Sequence, residues 1–150
     1  MGFHIEGLDE FKNALMELAE IKFPEELEKE IYKLANRLLA KVKKRTPVGV
    51  YKDGHTGGDL RKKWHIGNLV KEGNGYYIEV FNILDYASHV EYGHRTRLGK
   101  TDHPDTYKKR GTIDFVPGKH MLKISIEELN KELPGYLSNW LDNVIREHGL

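Results

Sequence analysis

The strongest constraint on the fold is a row of regularly spaced apolar residues between Pro24 and Pro47. The row comprises Leu27, Ile31, Leu34, Leu38 and Val42. Spacings of three and four residues place these side chains on one face of an α-helix over about five turns. Pro24 suits the first turn, because proline lacks an N–H that the helix does not need there. Since Pro47 ends the pattern, we predict one long amphipathic helix between the two prolines.

Further apolar stripes predict helices at both ends of the chain. The first stripe, expected to lie on a helix from about residue 8 to 21, consists of Leu8, Phe11, Leu15 and Leu18. The C-terminal stripes consist of Leu122, Ile126, Leu129 and Leu133, and then of Leu137, Trp140, Leu141, Val144 and Ile145. Pro134 and Gly135 separate the last two stripes, which predicts either a kinked helix or two helices.

The middle of the chain alternates between apolar and polar residues, as a β-hairpin does. One alternating run contains Leu60, Lys62, Trp64 and Ile66, and a second contains Tyr76, Ile78 and Val80. Gly73-Asn74-Gly75 between them is a turn signal, so we predict a hairpin over about residues 60–82. Residues 86–92 fit either a third strand or a short helix.

The glycine-bearing segments 46–59 and 93–118 are predicted to be flexible loops. Together these elements predict an α+β fold. In it, a small antiparallel sheet is packed by a long N-terminal helix and by a C-terminal helix kinked near Pro134. The length of 150 residues is that of one domain, so we expect residues 1–150 to form a single unit.

The composition excludes several classes of protein. The chain has no cysteine, which excludes a disulfide scaffold, a thiol nucleophile and a zinc site built on sulfur. No apolar stretch approaches the roughly eighteen residues of a membrane-spanning helix, and the N-terminus does not resemble a signal peptide. We therefore expect a soluble protein made in the cytoplasm. The net charge of +1 argues against a nucleic-acid binder that depends on overall charge.

The near-neutral total conceals a strong separation of charge along the chain. Residues 1–30 carry nine acidic and three basic side chains, a net charge of −6. Residues 41–63 carry eight basic and two acidic side chains, and residues 95–110 carry six and two. Such asymmetry favours head-to-tail contact between copies, or contact with a charged partner.

One alternative function is a small metal-dependent hydrolase or nuclease. The residues that support it are His89, Glu91, His94 and His103, with Asp102 beside them. Imidazole and carboxylate groups bind zinc and similar metals, and a bound metal can activate water. The spacing of these residues matches no recognised metal motif.

A second alternative is a nucleic-acid binding module. Tyr51, Trp64 and Tyr107 lie among lysines and arginines in the two basic segments. Basic side chains can hold a phosphate backbone while aromatic rings stack on bases. The same residues would also suit a channel through which DNA passes without being bound.

The order of several short motifs carries a resemblance to a known family. The motifs are Thr-Pro-Val at 46–48, Thr-Gly-Gly-Asp-Leu-Arg-Lys-Lys-Trp at 56–64, Tyr-Ala-Ser-His-Val-Glu-Tyr-Gly-His-Arg at 86–95 and Phe-Val-Pro-Gly-Lys-His-Met-Leu at 115–122. Over about residues 27–145 the chain resembles the small tail-component family of tailed bacteriophages and prophages. That family's usual run is Thr-Pro-Val-Asp-Thr-Gly-x-Leu-Arg. In this chain an insertion around residues 51–55 separates its two halves.

The resemblance implies a non-enzymatic virion protein that joins or completes the tail at the head-to-tail junction. It implies a homo-oligomeric ring whose partners are other neck, connector or tail-tube proteins, with DNA passing through it unbound and no membrane involved. The expected location is the host bacterial cytoplasm during assembly and then the neck or tail end of the virion. No catalytic residue, metal or cofactor is implied. The residues expected at subunit interfaces are Lys62, Lys63, Tyr86, Glu91, Tyr92, His94 and Arg95.

Overall fold

Within the described residues, helices lie towards both ends of the chain, and short strands alternate with two short helices between them. The computed structural model describes residues 8–73, 75–95, 97–98, 107–108 and 115–149. The helices are α1 (Leu8–Glu17), a π-helical turn (Leu18–Lys22), α2 (Phe23–Arg45), α3 (Asp59–Lys62), α4 (Ala87–Tyr92) and α5 (Met121–Glu147). The strands are β1 (Trp64–Ile66), β2 (Val70–Glu72), β3 (Gly75–Tyr77), β4 (Val80–Asn82), β5 (Gly93–Arg95), β6 (Arg97–Leu98), β7 (Tyr107–Lys108) and β8 (Phe115–Pro117). The predicted α+β class is confirmed.

The two predicted N-terminal helices are joined into one helical run that begins at Leu8 and ends at Arg45. The π-helical turn lies directly before Pro24, and the N–H of Phe23 donates to the carbonyl of Leu18, five residues back. Proline cannot donate to the carbonyl four residues before it, and its ring clashes with that carbonyl in a regular α-helix. The wider π-helical turn therefore lets the run continue through the proline.

Helix α5 packs antiparallel against α2. Near the C-terminus of α2, Lys41 forms ion pairs with Glu128 (2.9 Å) and Glu132 (3.0 Å) of α5, and Arg45 pairs with Glu128 as well. Further along the two helices, the Phe23 ring lies 5.5 Å from the Trp140 ring. Helix α5 is continuous through Pro134, so the C-terminal stripes lie on one helix and not on two.

The predicted hairpin is confirmed. It consists of two short antiparallel pairs of strands, one following the other along the hairpin. Strand β1 pairs antiparallel with β4, and β2 pairs antiparallel with β3. Between the two ladders, the Gly67 N–H donates to the Glu79 carbonyl at 2.8 Å.

The predicted strand across residues 60–66 is wrong at its start. Leu60 and Lys62 lie on the short helix α3, and regular pairing begins only at Trp64. Gly58 precedes α3 with a φ of +105°, a left-handed conformation that glycine adopts readily. After this left-handed residue the chain forms a helical turn, and the extended strand begins only after that turn. Leu60 is buried by that turn and not by strand alternation.

The predicted loop over residues 93–118 is wrong at both ends, because β5 and β8 form an antiparallel pair. Gly93 has a φ of +87°, and a Cβ at this position would overlap the Val116 carbonyl. The glycine therefore permits the close approach of the two backbones. Residues 86–92, for which a strand and a helix were both open, form α4.

The core lies where α2, α3, β1 and α5 meet. Its buried members are Val42, Leu60, Trp64 and Met121, and partly buried neighbours such as Leu38 and Val80 surround them. Val42 is the one residue of the predicted α2 stripe that is fully buried; the others are half-buried. In the C-terminal stripes Val144 is buried, whereas Ile126 and Leu141 are exposed. No helix in the described part of the chain is long and apolar enough to cross a membrane.

Candidate interaction surfaces

Thr46 connects the C-terminus of α2 to α3 and β1. Its side chain is fully buried, and its hydroxyl donates to the Val42 carbonyl at 2.7 Å. The Trp64 indole N–H donates to the same hydroxyl at 2.8 Å, and the Arg61 guanidinium donates to the Thr46 carbonyl at 2.7 Å. These bonds connect the Thr-Pro-Val motif at 46–48 with the motif at 56–64. Trp64 is only 5% exposed, so its ring is not available to stack on a base.

The loop between α2 and α3 folds back on itself. Val50 and Thr56 form an isolated antiparallel bridge, and the Tyr51 and His55 rings stack with their centroids 4.0 Å apart. The backbone N–H and the ring of His55 both bond to the Asp53 carboxylate, which lowers the pKa of Asp53. The loop therefore has local order, although it was predicted to be flexible.

This loop forms one wall of an open cleft of about 220 Å³, which we call the apolar cleft. Its lining includes Pro47, Val48, Tyr51, Leu60, Tyr86 and Val90. Tyr86, one of these lining residues, is about half exposed. Partial burial, and then the negative charge of Asp59, raises the pKa of its hydroxyl. Val48 and Tyr51 are also well exposed, so the cleft presents apolar surface to solvent.

Five lysines at the C-terminus of α2 and in the segment that follows it, up to residue 63, form a group that we call the basic end. It consists of Lys43, Lys44, Lys52, Lys62 and Lys63. None of them forms an ion pair with another described residue, whereas the nearby Lys41 and Arg45 are paired with α5. The basic end therefore carries uncompensated positive charge.

The opposite end of the helical run is acidic, and we call it the acidic end. It consists of Glu17, Glu20, Glu25 and Glu28, all of which are exposed and form no ion pair within the described residues. Leu15, Met16 and Ile21 lie among these acids and are each about half exposed. Leu18 of the predicted stripe is buried, and the side chains of Leu8 and Phe11 lie outside the described part of the structure.

The residues expected at subunit interfaces fall into two groups. Lys62, Lys63, Tyr86, Tyr92 and Arg95 are exposed, and Tyr92 is 68% exposed. Glu91 is buried, and its carboxylate accepts the N–H groups of Leu122 and Lys123 at 2.9 Å each, at the start of α5. His94 is partly buried, and neither of its ring nitrogens has a hydrogen-bond partner in the described structure.

The proposed metal ligands are not brought together in the described residues. The His89 and His94 rings meet edge to face with centroids 5.8 Å apart, but the Glu91 carboxylate is occupied by the α5 N–H groups. Asp102 and His103 lie outside the described residues. Within the described part of the chain, no group of three or more histidine, aspartate or glutamate side chains could hold a metal ion.

Sequence reasoning missed the exposed apolar residues at both ends of the helical run. Leu15 was placed on the apolar stripe of the first helix, Val48 was noted only as part of the Thr-Pro-Val motif, and Val50 only as part of the loop over residues 46–59. Spacing alone cannot distinguish an apolar stripe that packs within the chain from one that faces outwards. The acidic residues beside Leu15, Met16 and Ile21 were the only available signal.

Comparison with known proteins gives one family. The model described as "Bacteriophage HK97-gp10, putative tail-component" matches residues 9–93. The match covers more than half of the 150 residues and spans α2, the segment from Thr46 to Trp64, the hairpin and α4. No curated protein and no solved structure matches the chain significantly.

Proposed function

The chain belongs to the bacteriophage HK97-gp10 tail-component family, and from this we propose that it joins or completes the tail at the head-to-tail interface. The family is one of structural, non-catalytic components. In this proposal the protein acts as an oligomeric ring in the neck or at the tail end. Its partners are connector, neck or tail-tube proteins, and DNA passes through the ring without specific binding.

The observation that best supports a ring is the separation of unpaired charge along one rigid element. Glu20 and Lys44 are separated by 24 residues of continuous helix, or about 36 Å at 1.5 Å per residue. The acidic and basic ends therefore cannot neutralise one another within one chain. Surfaces that complement each other at opposite ends of a subunit favour heterologous contacts, which close into rings when the rotation between subunits permits.

The proposal is tested with particles assembled without this protein. We expect electron microscopy to reveal filled heads and separate tails, and a wild-type copy supplied in trans should restore joined, infectious particles. Complementation by Lys62→Glu/Lys63→Glu should be weaker than by the matched control Lys131→Glu, an exposed position on α5 that forms no described ion pair. Complete, infectious particles in the absence of the protein would overturn the proposed function.

A further inference from the structure

We propose that Lys62 and Lys63 of one copy dock in a groove between α2 and α5 of the next copy. We call it the acidic groove, because the carboxylates that line it are those of Glu26, Glu30 and Glu147. The inference rests on the proposed function, since it identifies the contact through which the ring would form. It also gives a partner to two lysines that form no ion pair within the described residues of their own chain.

The acidic groove is a concave site with an excess of negative charge. Its volume is about 300 Å³, and Lys33 is the one basic residue among those that line it. Glu147 forms no ion pair within the described residues. Glu26 and Glu30 each pair with a lysine three residues further along α2, but those lysine side chains are 65% and 69% exposed. Ion pairs of such exposed side chains contribute little, so the carboxylates remain available to a further cation.

The other walls of the acidic groove suit a lysine side chain. The rings of Tyr136 and Trp140 line it, together with the amide side chains of Asn139 and Asn143. The Glu30 carboxylate is only 4% exposed, and it accepts a hydrogen bond from the Tyr136 hydroxyl, which holds it in place. Lysine packs its aliphatic stem against apolar surface while its ammonium group stays among polar groups. The groove therefore offers rings to the stem and oxygen acceptors to the ammonium group.

Three other cavities of the described structure lack this combination. The apolar cleft has one charged lining residue, Asp59. The charged residues that line the groove between α4 and α5 are Glu91, Lys123 and Glu127, and the Glu91 carboxylate is already bonded to the first turn of α5. A cavity beside the hairpin turn has Lys71 as its one charged lining residue. Judged by the residues that line them, the acidic groove has the largest excess of negative charge among these four cavities.

The two lysines are presented by an element that the fold holds in place. Lys62 and Lys63 lie at the end of α3 and are both exposed. The Arg61 guanidinium beside them donates to the Thr46 carbonyl at 2.7 Å, and Leu60 of the same helix is buried in the core. Because the backbone that carries the lysines is already ordered, docking loses less conformational entropy than it would from a flexible segment.

The lysines and the acidic groove that receives them must belong to different copies. Glu26 and Thr46 are separated by twenty residues along α2, or about 30 Å at 1.5 Å per residue. Lys62 and Lys63 follow Arg61, which is bonded to Thr46, so they lie far beyond reach of the groove in their own chain. Each copy therefore offers one pair of lysines and one groove. Repetition of this heterologous contact generates a closed ring or an open chain.

Zero-length crosslinking tests the contact in wild-type particles. A water-soluble carbodiimide condenses a lysine amine with a carboxylate, with loss of water, only where the two groups touch. Peptide mass spectrometry of treated particles should identify Lys62 or Lys63 joined to Glu26 or Glu147. A denaturing gel should display a ladder of covalent dimers, trimers and larger species, since these groups cannot meet within one chain.

Neighbouring acids provide the matched control for the crosslinking. Glu25 and Asp142 lie on the same two helices and are exposed, but they do not line the acidic groove. They should not be joined to Lys62 or Lys63. Particles in which the two lysines are joined to these control acids as often as to the groove acids, or are never joined to the groove acids, would overturn the inference.

A charge exchange gives a second test that does not depend on crosslinking chemistry. Glu26→Lys/Glu147→Lys and Lys62→Glu/Lys63→Glu should each weaken self-association of the purified full-length chain about tenfold in sedimentation velocity, because each places like charges across the contact. Combining all four changes in one chain should restore association, which also establishes that the changes are compatible with folding.

The control for the charge exchange is Glu25→Lys/Asp142→Lys, which changes the net charge equally outside the acidic groove. It should weaken association much less than Glu26→Lys/Glu147→Lys does. Equal weakening by the two double variants would show that overall charge, and not the groove, governs association. If neither the groove variant nor the lysine variant weakens association while the protein is still needed to join heads to tails, the inference fails and the proposed function stands.

Discussion

Thr46 shows how one small side chain can organise three elements. Its hydroxyl accepts from Trp64 and donates to the last turn of α2, while its carbonyl holds Arg61. All of these contacts lie at the start of the loop that forms one wall of the apolar cleft. The Thr46–Trp64 bond therefore ties the start of this loop to the core, while the bonds from Thr46 to the Val42 carbonyl close the end of α2.

We predict that Thr46→Val lowers the free energy of unfolding by about 1–3 kcal/mol, because a nearly isosteric change leaves the buried Trp64 N–H without an acceptor. Urea denaturation followed by tryptophan fluorescence measures the loss. Thr56→Val, at an exposed position of the same loop, is the control and should change stability by less than about 0.5 kcal/mol. Equal stability of the Thr46 variant and the wild type would contradict this role.

Glu91 is the interface candidate whose role the structure defines within the chain. Its carboxylate satisfies two of the N–H groups that the first turn of α5 leaves unpaired, and its negative charge lies at the positive end of that helix. The Glu91 carbonyl also accepts the His120 N–H at 3.0 Å. Glu91 therefore fastens α4 to the start of α5.

We predict that Glu91→Gln lowers the free energy of unfolding by about 1–3 kcal/mol, because the amide nitrogen places a donor against a helix N–H and the charge is lost. Glu127→Gln removes the same charge from an exposed position of α5 and should be nearly neutral. Guanidinium-induced unfolding of both variants measures their free energies of unfolding. A Glu91→Gln variant as stable as Glu127→Gln would show that the cap is not needed.

At the scale of elements, α2 and α5 are joined by a charged group near the C-terminus of α2. Hydrogen bonds from Lys41 and Arg45 lower the pKa of Glu128, and bonds to Glu128 and Glu132 raise the pKa of Lys41. Both shifts favour the charged forms. A lowered carboxyl pKa stabilises the fold above the usual pKa near 4.5, and this contribution is lost as the pH falls through the folded-state pKa. A raised lysine pKa stabilises the fold below its usual value near 10.5, and this contribution is lost as the pH rises through the raised pKa.

We therefore predict that Glu128→Gln has a lower melting temperature than the wild type at pH 7, and that the difference shrinks as the pH falls below about 4. Differential scanning calorimetry between pH 3 and pH 7 measures this. Glu127→Gln, next to it on α5 but without an ion pair in the described structure, should show no such convergence. A pH-independent difference for Glu128→Gln would mean that lost packing, and not lost charge, causes it.

At the scale of the whole molecule, the acidic and basic ends make the helical run strongly polar. Interactions between exposed charges are screened over about 10 Å at 0.1 M salt. We predict that self-association of the full-length chain weakens several-fold between 50 mM and 500 mM sodium chloride, as measured by sedimentation equilibrium. Association that is unchanged or stronger at high salt would point to an interface held by apolar burial alone.

Local patterns in the sequence determined much of the fold, because helix periodicity, strand alternation and turn residues act over a few neighbouring positions. They predicted α2 between its prolines, the hairpin around Gly73 and the helical C-terminus, and the motif order pointed to the family. The same patterns misplaced Leu60, because the left-handed Gly58 converts an alternating run into a helical turn. They also missed the pairing of β5 with β8, whose partners are twenty to twenty-four residues apart.

The amino-acid sequence by itself determined the type of each main element and the separation of charge along the chain. Only the tertiary structure decided which charges are neutralised, since Arg45 meets Glu128 of α5 while Lys62 and Lys63 meet no acid in the described residues. It also decided that Glu91 faces inwards to cap α5 and that Leu15 and Ile21 face solvent. The physical reason is that burial and ion pairing depend on distances between segments remote in sequence, and no local spacing encodes those distances.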